Sequence, residues 1–207
     1  MAQSKLVRLG GAAAMGSGVL LVAGELMYFV VGLGESMEGS AATLSSPSSI
    51  FQSALFLLAG VLLVGAVISV YSRHAASAGI LGTAGFLMAF VGTILVAGTF
   101  WDGTFITPAL AADAPELLEA APPALVMLGF NLSFALFSVG WLLLGLAMLR
   151  TRAYPRPVAA MLMLGAILAF IPMPFTFIPF GLTVAWMSLT SLSPKNTPLE
   201  EPAHATP

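Results

Sequence analysis

Cysteine is absent from the 207-residue chain, which removes structural disulfides, thiol redox relays, iron–sulfur clusters and thiolate metal sites together. Charge is nearly as scarce: 8% of residues are charged, against about a quarter in soluble domains, while 58% are hydrophobic. Histidine occurs only as His74, beside a basic stretch, and His204 in the tail, so a pair of haem ligands within the apolar runs is excluded. No lysine or arginine interrupts those runs, which excludes a retinal Schiff base and an arginine-rich voltage sensor. They hold no Ser/His or paired-carboxylate constellation, and no HExxH occurs. We therefore expect no enzyme, no cofactor, no metal site and no nucleic-acid partner.

Long apolar runs are what the chain does have. A helix needs about 20 apolar residues to cross a hydrocarbon core about 30 Å thick. Residues 9–33, 50–71, 76–100 and 124–149 each qualify. The stretch 158–192 is long for one crossing and short for two. Its segment FIPMPFTFIPF, residues 170–180, carries Pro172, Pro174 and Pro179, and proline removes an amide donor and obstructs the preceding turn. This predicts a tight hairpin between helices at 157–171 and 174–192, the second kinked at Pro179. The first run follows Lys5 and Arg8, as in a signal peptide, but it outlasts a signal core of about 7–15 residues, so a retained helix is expected. The expected fold is all-α: a single-domain, polytopic integral membrane bundle of six transmembrane helices over residues 1–192, with a disordered polar tail at 193–207.

The charges sort by side in that arrangement. Lys5, Arg8, Arg73, Arg150, Arg152, Arg156 and Lys195 all fall on the side of the termini, which the positive-inside rule makes cytoplasmic. The opposite loops carry only acids: Glu35 and Glu38 in 34–49, and Asp102, Asp113, Glu116 and Glu119 in 101–123. Glu200 and Glu201 lie in the tail. The expected location is the cytoplasmic membrane of a bacterium or archaeon. His74 reads as a headgroup-level residue, and Trp101, Trp141 and Trp186 as interface anchors or packing. In the second loop, Thr107 before Pro108 reads as a helix N-cap, and DAPE at 113–116 as a capping box starting a short helix that Pro122 and Pro123 stop. That loop reads as a connector lying over the membrane face.

Lipid gives helices no hydrophobic reason to associate, so small residues must let backbones approach. Ala78, Gly82, Gly85, Ala89 and Gly92 recur at heptad spacing in the third helix, followed by Thr99, and predict a close seam with a neighbour. Asn131, Ala135, Ser138 and Gly145 form a comparable stripe in the fourth. A faint echo at an offset of 80 residues pairs Gly60, Gly65 and Gly85 with Gly140, Gly145 and Gly165, as a duplication of a helix pair would, although chance similarity is as good an account in so Leu-, Ala- and Gly-rich a chain.

One charge has no place in this sorting. Glu25 lies within LLVAGELMYFVV, residues 20–31. Gly11, Ala14 and Gly18 share its helical face, so the carboxyl is expected to point toward protein, about 12 Å below the outer end of its helix. Asn131 and Thr93 fall at similar depth and Gln52 somewhat higher, which predicts a polar pocket of Glu25, Asn131, Thr93 and Gln52 with Asn131 as hydrogen-bond partner. Glu25 is then either structural glue or a proton or ligand site. Small multidrug exporters resemble the chain in a lone glutamate in the first helix; nothing else of their pattern carries over, and they are about half as long, with four spans. Two functions follow: a small carrier or binding protein for a proton or small-molecule ligand, or a non-catalytic accessory subunit docking other membrane proteins or copies of itself in the bilayer.

Overall fold

The computed structural model describes residues 2–32, 40–73, 75–171 and 173–192. Among them every regular element is helical. Six helices build the body: α1 (Ala2–Leu26), α2 (Pro47–Ser72), α3 (Gly79–Trp101), α4 (Ala124–Thr151), α5 (Arg156–Leu168) and α6 (Phe177–Leu192). The expectations for Glu35, Glu38, His74, Pro172, Lys195, Glu200, Glu201, His204 and the tail lie outside the described residues.

Four stretches are long and apolar enough to cross a membrane: Leu9–Val31, Pro47–Ser72, Gly79–Asp113 and Ala124–Thr151. The protein is thus an all-helical chain of membrane-protein character. Helices α5 and α6, at 13 and 16 residues, are shorter than the expected 157–171 and 174–192. At a rise of about 1.5 Å per residue each falls short of a core about 30 Å thick. The expected tight hairpin is a wider, non-helical link, because Pro174 cannot donate to a ladder and biases Met173 away from helix. Pro179 does not kink α6. It sits in the first turn, where amides have no intrahelical partner to lose.

The helices form a ring in chain order: each packs on its predecessor and successor, and α6 closes against α1. The centre is filled by large side chains with almost no exposure, among them Phe137, Trp141, Phe180, Leu144, Met148 and Leu162. Trp141 meets Phe180 edge to face at 5.1 Å between ring centroids and donates its indole N–H to Thr93 Oγ1 at 3.2 Å. A buried indole needs such an acceptor.

Helices α3 and α4 touch backbone to backbone. A Cβ on Gly92 would lie 2.2 Å from the Phe137 nitrogen, one on Gly85 2.7 Å from the Leu144 nitrogen, and one on Gly140 2.1 Å from the Ala89 nitrogen. Only glycine fits there. The opposite closure uses the same device, since a Cβ on Gly18 of α1 would meet the Gly181 carbonyl oxygen of α6 at 2.3 Å. Of the glycines in the 80-residue echo, Gly85 and Gly165 both lie against the backbone of the next helix, Leu144 and Phe180 respectively. Gly60 and Gly140 differ: the first faces the following helix through Ala97, the second the preceding one through Ala89.

The second loop departs from expectation. Thr107 is no N-cap: the chain stays helical from Gly79 to Asp113, widening to a π-turn over Asp102–Ile106 in which the Thr107 amide bonds to the Asp102 carbonyl. The wide turn accommodates Pro108, which lacks an amide and would crowd an α-helical carbonyl. The Thr107 hydroxyl donates to Asp102 Oδ2 instead, at 3.2 Å. Asp113 ends that helix rather than capping the next, Pro115–Glu119, whose N-cap is Ala114 without a side-chain bond.

Candidate functional site

At the end of the ring opposite the N-terminus, the shorter α5 and α6 stop below their neighbours, and the link between them, described at residues 169–171 and 173–176, forms a floor. Glu25 reaches this floor from α1. It is 2% exposed, and its Oε2 accepts a hydrogen bond from the Phe175 amide. Phe175 has φ 70°, the left-handed region that a bulky residue occupies only at a cost of about 1–3 kcal/mol. The link needs the help: backbone that leaves helix at membrane depth must find partners in protein or line a cavity. Thr176 supplies more, its hydroxyl lying 2.8 Å from the Met173 carbonyl and 3.1 Å from that of Ile171. Tyr28 and Phe29, just past α1, hold the Phe175 ring from above at centroid distances of 6.1 and 5.1 Å.

Above the floor lies a cavity of about 400 Å³ that both Glu25 and Asn131 line. Glu25 is six residues from Val31, and Asn131 seven from Ala124, so each is about 10 Å from that end of its membrane-crossing stretch. Tyr28, Phe56, Phe100, Phe130, Phe134 and Phe177 supply aromatic walls. Phe56 stacks on Phe100 at 4.8 Å and fits against Gly24, whose Cβ would meet the ring at 2.7 Å. Helices α2, α3, α4 and α6 carry no acid at all, and their only basic residue, Arg150, lies at the far end of α4. Among the described residues, Tyr28 is the one other titratable group at the cavity.

No family model, no curated protein and no solved structure matches this chain.

The four expected pocket residues therefore separate by geometry alone. Glu25 and Asn131 share the cavity, but no hydrogen bond joins them among the described residues. Asn131 donates to its own helix, 2.8 Å from the Met127 carbonyl, and is exposed. The expected partnership fails because a side-chain amide one turn from a carbonyl satisfies itself locally, whereas the carboxyl has a backbone amide within reach. Thr93 is buried in the ring centre against Trp141. Gln52 is buried outside the cavity, its Nε2 donating to the Gly24 carbonyl at 2.9 Å, and so braces α1 where the helix falters at Met27. The true partner of Glu25, Phe175, carries no polar side chain. Its only signal was the helix-breaking PFTFIP at membrane depth, which leaves amides in need of an acceptor. The packing residues Gly82, Gly85, Ala89 and Gly92 lie on the α4-facing side of α3, and Ala78 precedes the helix as its N-cap.

Proposed function

We propose that this is a small carrier or binding protein whose embedded carboxyl, Glu25, is a proton or ligand site. One observation carries the reading: among the described residues, a single buried acid opens onto an aromatic cavity that contains no basic residue to neutralise it. Stability alone does not call for such a group, since an acid in hydrocarbon costs several kcal/mol or so more than an apolar side chain. The Phe175 amide offsets part of that cost. In this reading the bundle lies in a cytoplasmic membrane as six spans, the last two short and joined by the link at membrane depth, with termini inside and the cavity toward the outside. The clustering of Arg73, Arg150, Arg152 and Arg156 at the end away from the cavity supports this orientation.

Infrared spectroscopy tests the site. A protonated-carboxyl band present in the wild type and missing in Glu25→Gln should fade as pH rises; a band that persists to strongly alkaline pH overturns the proton role. Cysteines at Ser46 and Ala112 should react with an impermeant reagent from outside, and those at Ser72 and Thr151 should not.

A second reading has its own observation. The first turns of α4 are exposed on every side, with Leu125 79% and Leu128 62% accessible, which favours an accessory subunit that docks another membrane helix there. Purification as a stable complex with a partner, and loss of stability without it, would favour that reading.

A further inference from the structure

The cavity has one wall missing, and what is missing restricts the class of ligand. This inference rests on Glu25 being a ligand site. Between α4 and the link, Phe130, Phe170, Ile171 and Met173 line the cavity, yet are 38%, 51%, 40% and 56% exposed. Because α5 and α6 end early, the first two turns of α4 are exposed among the described residues, and the opening lies between them and the link, where the surrounding side chains are apolar. Inside it stands an acid with no basic counter-ion among the described residues, between ring faces that attract cations. Asn131 lies at the rim as the polar side chain that α4 contributes to the lining.

We propose that the cavity binds a single-tailed amphiphile with a quaternary ammonium head, which enters sideways from the membrane: the head lodges between Glu25 and the rings of Phe56, Phe134 and Phe177, and the tail leaves past Phe130 and Met173. A free alkylammonium and a choline-type lipid headgroup present the same chemistry. An anionic head is refused by Glu25, and a tail-less cation forgoes the apolar opening.

The full chain in nanodiscs free of choline lipids is exposed to dodecyltrimethylammonium carrying a photoactivatable diazirine at the tail end, and labelled residues are mapped by mass spectrometry. Labelling should concentrate in residues 124–134 and 169–177, and excess unlabelled dodecyltrimethylammonium should suppress it. Tetramethylammonium, which lacks a tail, and the net-neutral dodecyldimethylamine N-oxide should compete about tenfold or more less well. Competition by dodecylphosphocholine would assign the head to a lipid source, and its failure would assign it to a free amphiphile. Glu25→Gln should weaken competable labelling about tenfold, and Phe134→Leu, which keeps the acid, about threefold through loss of a ring face. Equal competition by the N-oxide, or labelling spread over all lipid-facing helices, overturns the proposal. If labelling fails while the Glu25 carboxyl band still titrates in the same nanodiscs, the ammonium ligand falls and the proton site stands; if the band is insensitive to pH as well, both fall.

Discussion

The α3–α4 seam and the contact between Glu25 and the link at 169–176 are both close meetings of elements across the ring, and they are built on opposite terms. In the seam, side chains have been deleted until Gly85, Gly92 and Gly140 allow backbone to touch backbone, and the bond from Trp141 to Thr93 crosses between side chains without involving either backbone. At the link, the helix has been abandoned, an amide is left over, and a side chain from another element must supply its acceptor. The first arrangement leaves no room. The second leaves a cavity of about 400 Å³. Rigid closure and a place to bind thus come from different responses to the same lack of hydrophobic drive.

The strongest way to break the comparison is at the seam. Gly92→Leu should prevent assembly or lower stability by at least the upper part of the overpacking range of about 1–3 kcal/mol, because its Cβ would meet backbone that cannot rotate away. Gly129→Ala on α4 meets nothing and should be silent in the same detergent-unfolding titration. At the link, Glu25→Ala should cost about 2–3 kcal/mol by stranding the Phe175 amide, while Glu25→Gln keeps an acceptor and should unfold close to wild type. A silent alanine variant would mean that water serves the amide as well as the carboxyl does. Within the ring centre, Thr93→Val should cost about 1–2 kcal/mol by leaving the Trp141 indole without its acceptor, and near-ultraviolet circular dichroism should report a loosened tryptophan. The smallest effect is expected at Asn131→Ala, within about 0.5 kcal/mol, since the side chain is exposed and bonds only to its own helix. A large loss there would restore Asn131 as a structural partner of Glu25.

The same contrast explains what could be read in advance. Helix existence and the glycine seam are written in periodicity, because a face that must be small every turn repeats at heptad spacing. Glu25 was legible as an exception to the sorting of charge. Its partner was not, because a backbone amide has no letter of its own, and depth arithmetic offers Asn131, Thr93 and, somewhat higher, Gln52, while the structure sends one to the cavity rim, one to Trp141 and one to the Gly24 carbonyl. The aromatic walls come from α2, α3, α4 and α6, from Tyr28 just past α1 and from the link, and no spacing within any one of them announces that their rings converge.

The π-turn at Asp102–Ile106 divides one continuous helix into two independently aimed parts. One residue more per turn rotates everything beyond it by about 100° relative to an unbroken α-helix. Below the turn, α3 shows its glycines to α4; within it, Gly103 comes against Ser53 of α2, where a Cβ would lie 2.9 Å from the hydroxyl. Deleting a single residue from that turn would swing residues 107–113 to another bearing while the glycine seam stayed in phase, so the cap over the bundle can be re-aimed without rebuilding the wall beneath it.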